Sequence, residues 1–510
     1  MPGEYQERNR SQWIGLFVGP ILFFGVLCMP VDPQMVPIRN MSALALFMGV
    51  YWFTEAIPLA MTALLPFALY PILGIMSAAE AAQQYFNTIV FLFIGGFLIA
   101  LAMEQWGLHK RIALIIIRSI GGHPDRIILG FILCSGFLSM WITNTATTLL
   151  LLPIGLSMVY KLEEKFGKEA IKPFTIALML AIAYAASVGG MATLIGSTPN
   201  LAFLSIYEKN YPNAPAFAFA DWILMALPIA VVMLAFIWLI LVKLLFPTGK
   251  GISLTREEID QDYLKLGKCS PEEWWVLAIF SITALLWVTR RDLEFGFATL
   301  KGWAEAFPVI ALINDATVAV LMASILFIVP TRSKPARRIS ATLLDSNCFS
   351  KLPWGVIILF GGGFALAEGF SVTGLADYLG DHLAILSKLP NIAIIIVICI
   401  AMTLLTEITS NTATTLVMLP ILVGLSSSIN VNPILLMLPT TFAASYAFMM
   451  PVATPPNAVI FGSGRLKISH FIRAGILMNV VGILTITLAV YFLAGPMLGA
   501  DIHTRPSWAQ

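Results

Sequence analysis

Long uncharged stretches alternate along this chain with short charged ones. Residues 127–160, 174–207, 222–242, 408–464 and 474–500 contain no Asp, Glu, Lys or Arg. A helix needs about 20 mainly apolar residues to cross a bilayer, so several of these runs hold one span and 408–464 holds more. Two of them enclose the same polar word, "TNTATT" beginning at Thr143 and "SNTATT" beginning at Ser410. Each word is trailed by a proline, Pro153 or Pro420. The pattern predicts an all-α polytopic membrane protein.

Composition agrees: 58% of the 510 residues are hydrophobic and 11% charged, against roughly 25% charged in a soluble domain. An ordinary soluble protein is excluded. The N-terminus "MPGEYQERNRSQW" has no cleavable-signal pattern, and the apolar stretch 14–28 reads as the first span. The net charge of +2 points to no particular partner. Basic residues sit in short loops rather than in a patch that would bind nucleic acid. The five cysteines lack paired spacing and read as buried free thiols. The five histidines, His109, His123, His382, His470 and His503, form no HExxH or paired motif, so metal chemistry is not expected.

The two words belong to a longer repeat. Asn144 and Asn411 define an offset of 267 (411 minus 144), which also pairs Phe93 with Phe360, Gly95 with Gly362, Gly96 with Gly363, Phe97 with Phe364 and Gly107 with Gly374. Farther on, "GSTPN" at 196–200 answers "ATPPN" at 453–457 with an offset of 257 (457 minus 200). Two related halves are the architecture expected of a secondary transporter. Orientation follows from loop charge. The first word is flanked by Lys- and Arg-rich segments, 109–126 and 161–172, which belong in the cytoplasm. The second is flanked by 381–391 and 426–432, which hold one Lys and belong outside. The repeat is therefore inverted.

Residues 127–142 and 146–160 are each short for a crossing and read as the arms of a re-entrant hairpin with Thr143, Asn144 and Thr145 at its tip. Residues 391–409 and 413–425 form its counterpart, tipped by Ser410, Asn411 and Thr412. About eleven transmembrane helices remain, near 13–28, 40–57, 59–76, 88–108, 173–207, 222–246, 273–289, 308–330, 353–378, 433–464 and 474–494. The domain reading is 1–108 for scaffold helices and the start of repeat one; 109–246 for repeat one, with hairpin 127–160 and broken helix 173–207; 247–352 for a linker and scaffold helices; and 353–510 for repeat two, with hairpin 391–425, broken helix 433–464 and the last helix. With the N-terminus cytoplasmic, the basic loops 243–268, 332–351 and 465–473 fall inside and the C-terminus outside. Arg290, Arg291 and Lys301 fall outside against the rule.

Irregular backbone at membrane depth is tolerated only where protein or a water-filled cavity satisfies it. A hairpin tip offers helix N-termini, which attract anions, and helix C-termini, whose carbonyls attract cations. Ser, Thr and Asn add neutral donors and acceptors to both. Prolines in the second pair of words predict helix breaks at 196–200 and 453–457. Together these elements can hold a carboxylate beside a small hard cation without Arg or Lys. Helix capping alone is the competing account of Ser/Thr-Asn-Thr, and the doubled, in-register copy argues against it. The double glycines read as close helix packing. Glu55, Glu104, Asp315, Glu368 and Glu407 fall in or near apolar runs. For Glu407 a structural, paired carboxylate is favoured over a proton relay.

The words "TNTATT", "SNTATT", "GSTPN" and "PVATPPNAV", with "WFTEAIPL" at 52–59, resemble the divalent anion:sodium symporter family, which includes sodium-dicarboxylate and sodium-citrate transporters. The resemblance covers nearly the whole chain. It implies a homodimer with a scaffold and a mobile domain moving elevator-fashion, two sodium sites, and location in a membrane, the bacterial inner membrane being expected. Carried residue by residue, it implies that one sodium site uses Ser139, Thr143, Asn144 and Gly196. The other would use Thr406, Thr409, Asn411 and Ala453. The substrate would meet Thr143, Asn144, Thr145, Ser197, Ser410, Asn411, Thr412, Thr454 and Pro455. The family's first tip usually reads Ser-Asn-Thr, so Thr143 adds a methyl to that site.

The expected function is sodium-coupled symport of a small dicarboxylate such as succinate, malate or fumarate, with sodium as coupling ion and lipid as surroundings. Alternatives are a dicarboxylate exchanger, a sodium-coupled citrate or sulfate carrier and, in another class, an integral membrane enzyme. No nucleophile–base constellation supports the last.

Overall fold

A computed structural model describes residues 8–248, 260–261, 263–294, 299–306, 312–333, 339–498 and 504–509. The first seven residues, the middle of the basic loop 243–268, part of the loop 332–351, the start of the 308–330 span and His503 lie outside them. Helices dominate. Nine of those described are long and apolar enough to cross a membrane, and shorter apolar helices such as Leu59–Leu73, Asn391–Thr406 and Ile434–Ala444 accompany them.

The helix Lys172–Met191 is the central pillar, with every residue from Phe174 to Met191 buried. Both arms of the first polar word lie along it. Ser135, on the arm Pro124–Ser139, donates its hydroxyl to the Ile182 carbonyl at 2.7 Å. On the arm Asn144–Phe166, a Cβ added to Gly155 would sit 3.2 Å from Ile182 Cδ1. Two arms beside one residue of one helix make a helical hairpin. The second word repeats this against Ile434–Ala444: Cys399 of Asn391–Thr406 approaches the Pro439 carbonyl at 4.0 Å, and Asn411–Ser428 packs on the same helix.

The mouths of the two hairpins are tied to segments at either end of one long helix. At the mouth of the first, Glu163 pairs with Arg465, just ahead of the long helix Ile468–Leu498. At the mouth of the second, Arg505, just beyond that helix, donates to Ser427 Oγ at 2.8 Å. The 31 residues between span about 46 Å at 1.5 Å each. Near the middle, Phe93 and its repeat counterpart Phe360 meet edge to face, ring centroids 5.5 Å apart. The double glycines serve close packing: a Cβ on Gly95 would strike Ala319, and one on Gly363 would strike Leu416.

Several boundaries differ from the sequence reading: among the described residues the span expected at 308–330 is an α-helix only over Asp315–Ile325, too short to cross by itself. The arm expected at 146–160 runs from Asn144 to Phe166, 23 residues, which is long enough to cross. Charges beginning at Lys161 end the hydropathy signal but not the helix, because Lys, Leu and Glu are good helix formers; Gly167, at positive φ, ends it. The breaks fall at 192–197 and 445–454 rather than at 196–200 and 453–457. Proline is well tolerated in a helix's first turn, so Pro199 and Pro455 open the half-helices Thr198–Asn210 and Pro455–Phe461 instead of interrupting a span. Cys28, read as buried, is exposed at a helix end, whereas Cys134 and Cys399 are buried.

The exception to the loop-charge rule also finds a physical cause. Arg290 is buried and pairs with Asp315 at 2.5 Å, and Arg291 donates to the Ala216 carbonyl at 2.6 Å. Both are structural charges at the rim of a 620 Å³ cavity.

Candidate functional site

Each hairpin tip is tied by one hydroxyl-to-amide bond. Ser139 Oγ donates to Asn144 Oδ1, and Thr406 Oγ1 donates to Asn411 Oδ1. The offset of 267 maps one pair onto the other. In both repeats the Asn opens the second arm, while a hydroxyl from the last turn of the first arm orients its amide.

Around the first tip, oxygens gather at two glycines. A Cβ on Gly190 would collide with Asn144 Oδ1 and lie 2.9 Å from the Gly196 carbonyl; one on Gly196 would lie 2.6 Å from the Gly190 carbonyl and 2.9 Å from that of Ser139. Ser139, Asn144 and Gly196 are thus brought together as expected, joined by Gly190, which the sequence reading did not single out. Neutral oxygens packed this closely suit a hard cation. Thr143 stands apart: its side chain is exposed and caps its own helix, accepting from Ala146 N at 3.2 Å.

At the second tip Thr406 also donates to the Ala444 carbonyl at 2.9 Å. Thr409 bonds the Leu405 carbonyl and the Thr414 hydroxyl, each at 2.6 Å. Ala453 lies at the end of the second break, its N–H on Met450 O at 3.2 Å.

The motif asparagines hold the breaks. Asn200 Nδ2 donates to the carbonyls of Gly190 (3.1 Å) and Thr193 (2.7 Å). Asn457 Nδ2 donates to those of Ala447 (2.9 Å) and Met450 (3.1 Å), the same two positions at an offset of 257. The doubled Asn was visible in "GSTPN" and "ATPPN", where only the prolines were used. Glu407 is buried at 3% exposure and accepts from the N–H groups of Phe448 (2.8 Å), Met449 (2.9 Å) and Met450 (3.0 Å), and from Asn479 Nδ2 (2.8 Å). Among the described residues it is a structural carboxylate, fixing the second break. Asp315 pairs with Arg290, and Glu368 with Lys209 at 2.7 Å.

The two halves interlock. Pro455–Phe461 packs on the first hairpin's second arm, and Thr198–Asn210 packs on the second hairpin's second arm. Thr198, absent from the expected set, meets Thr412 hydroxyl to hydroxyl. Ser197 and Ser410 precede their helices in extended conformation without side-chain caps. Thr454 caps Asn457 N at 3.4 Å, and Pro455 is the first residue of its half-helix. Thr145 is half-buried beside Asn144. Uncapped helix N-termini beside clustered carbonyls offer an anion and a cation adjoining places.

Comparison with known proteins is consistent with this geometry. The family described as the sodium:sulfate symporter transmembrane region matches residues 10–500. A sodium-dependent dicarboxylate transporter of Staphylococcus saprophyticus is 40% identical over 510 residues, covering 99% of this chain and 95% of the relative. One from Staphylococcus aureus is 40% identical over 508 residues, covering 97% and 94%. Among solved structures, the YdaH transporter of Alcanivorax borkumensis superposes with a TM-score of 0.53 at 15% identity, over 82% of this chain and 89% of that one. MtrF of Neisseria gonorrhoeae, described with a class of antimetabolite efflux pumps, gives 0.52 at 12% identity over 96% of each. These two likenesses concern the fold alone.

Proposed function

The chain belongs to the sodium:sulfate symporter family, and from that premise we propose that it carries a small dicarboxylate across a membrane together with sodium ions. It is a transporter and not an enzyme, as its family and curated relatives are. The relatives' printed activity, sodium-dependent dicarboxylate transport, supports the choice of ion and substrate class.

The observation that carries the reading is the doubled amide–hydroxyl pair, Ser139–Asn144 and Thr406–Asn411, each beside a broken helix. In this reading one sodium ion is held by Ser139, Asn144 and Gly196, with Thr143 at its edge. A second is held by Thr406, Thr409, Asn411 and Ala453. The anion lies between the tips, against Thr143, Asn144, Thr145, Ser410, Asn411 and Thr412, with Ser197, Thr454 and Pro455 from the broken helices. An anion brought out of water next to its driving cations loses less than either would alone. Discontinuous helices meeting at the middle of an inverted repeat are the way secondary transporters build such sites.

The finer mechanism follows the same reading. The tips dip into the membrane from opposite sides, and the interlocked hairpins move as a body against a scaffold in a homodimer. Support for the sidedness comes from same-side contacts: Asp125 with Lys243, and Glu163 with Arg465, join segments expected in the cytoplasm, while Arg505 joins Ser427 outside. The N-terminus is then cytoplasmic and the membrane the bacterial inner one.

The test is uptake into liposomes. Reconstituted protein accumulates labelled succinate under an inward sodium gradient and not under a potassium one. Uptake indifferent to sodium overturns the coupling. Sodium-independent counterflow from succinate-loaded vesicles marks an exchanger, and citrate or sulfate preferred over succinate changes the substrate class.

A further inference from the structure

The repeat places two quasi-equivalent junctions around the proposed anion site, and their chemistry differs. At the first, the half-helix Thr198–Asn210 meets the arm Asn411–Ser428 through the hydroxyls of Thr198 and Thr412. Neither preceding residue, Ser197 or Ser410, caps its helix with its side chain. Two hydroxyls sharing one hydrogen bond leave one O–H without an acceptor, and neither side chain has a further partner among the described residues. Thr412 is 8% exposed and Thr198 half-buried, so the pair is enclosed without being sealed.

The second junction is the counterpart: Pro455 stands for Thr198 (offset 257) and Thr145 for Thr412 (offset 267). Here both preceding residues cap their own helices, Thr454 accepting from Asn457 N at 3.4 Å and Thr143 from Ala146 N at 3.2 Å, so those two N–H groups are taken while each hydroxyl keeps its O–H. Pro455 supplies neither an N–H nor a hydroxyl. The first junction keeps the Thr198 N–H and an arm Asn411–Ser428 with no side-chain cap, where the second has Pro455 and a capped arm Asn144–Phe166.

We propose that the two carboxylates of the transported dicarboxylate are held unequally, with the stronger seat at the Thr198–Thr412 junction and Thr198 itself a substrate-contacting, specificity-determining residue. This rests on the function proposed above. One carboxylate accepts the spare O–H and the uncapped N–H groups of both helices. The other meets Thr145 and helix starts whose Ala146 and Asn457 N–H groups are already capped. A monocarboxylate then occupies the first seat by preference, and the second seat sets the tolerance for what lies at the far end of the anion.

The experiment is sodium-driven succinate uptake by wild type and four variants. Thr198→Val raises the half-saturating succinate concentration about tenfold, the loss expected for a hydrogen bond to a charged group. It leaves the maximal rate and the half-saturating sodium within about twofold, and Thr198→Ser restores the wild-type value to within the same margin. Thr198→Pro copies the other repeat, fits the first helical position, and shows the same tenfold loss. Thr145→Val, at the other seat, raises the half-saturating succinate concentration by less than Thr198→Val does. Unchanged succinate affinity in either Thr198→Val or Thr198→Pro overturns the proposal, as does a Thr145→Val effect equal to that of Thr198→Val. Wild-type protein without sodium-driven succinate uptake overturns the functional reading itself, whereas normal wild-type uptake with unshifted variants sinks the inequality alone.

Discussion

Repeat one places Met140 and Thr193 where repeat two places Glu407 and Met450. In the first, the Thr193 hydroxyl donates to the Met140 carbonyl at 2.5 Å and accepts from Gly196 N at 3.1 Å, closing the short break 192–197 with neutral groups. In the second, the longer break 445–454 is fastened by a buried carboxylate taking three consecutive backbone N–H groups. The same plan is thus finished once with a hydroxyl and once with a charge. A short break can satisfy itself locally, whereas a long one leaves several donors facing inward and needs an acceptor with many lone pairs. Oxygen clusters that look alike by motif therefore sit in different fields.

Variants at matched positions separate the two finishes. Glu407→Ala strands three buried N–H groups, and its cost of about 3–5 kcal/mol shows as a collapsed thermal midpoint in detergent; a midpoint near wild type would mean the carboxylate is dispensable. Next comes Gly190→Ala, whose Cβ displaces the Asn144 amide. An overpacking penalty of about 1–3 kcal/mol raises half-saturating sodium about tenfold or more. The reverse change at the matched position, Ala447→Gly, costs about 0.5–1 kcal/mol in stability with sodium affinity kept, and equal sodium shifts in both would erase the distinction. Thr193→Ala loses about 1 kcal/mol, far less than Glu407→Ala in the same melting assay. Smallest is Thr147→Val. Among the described residues the Thr147 hydroxyl is buried without a partner, while its counterpart Thr414 bonds Thr409 and the Ser410 carbonyl. Thr147→Val is neutral to within about 0.5 kcal/mol and Thr414→Val costs about 1 kcal/mol; a penalty at Thr147 would assign its hydroxyl a ligand.

What could be read in the sequence was whatever side chains announce by repetition. Ser139 and Thr406 share an offset with Asn144 and Asn411, and the structure joins each hydroxyl to its amide. Hydropathy located the helices. Backbone oxygens leave no such trace. Nothing in the letters says that the carbonyls of Gly190 and Ala444 face the tips, so those partners emerge only from packing. Hydropathy also misplaced the end at Phe166, because it reports solvation and not helicity. Thr198 is masked by the helix-breaking signal of the proline beside it; aligning "GSTPN" with "ATPPN" letter by letter exposes the Thr-for-Pro difference.

Each half gives its short helix to the other's hairpin, Pro455–Phe461 to the first and Thr198–Asn210 to the second. A chain of half this length could not have finished a seat from its own parts. A single copy would have needed a second to clasp, and joining two in one chain lets each differ, one with a carboxylate at its break and the other with a hydroxyl.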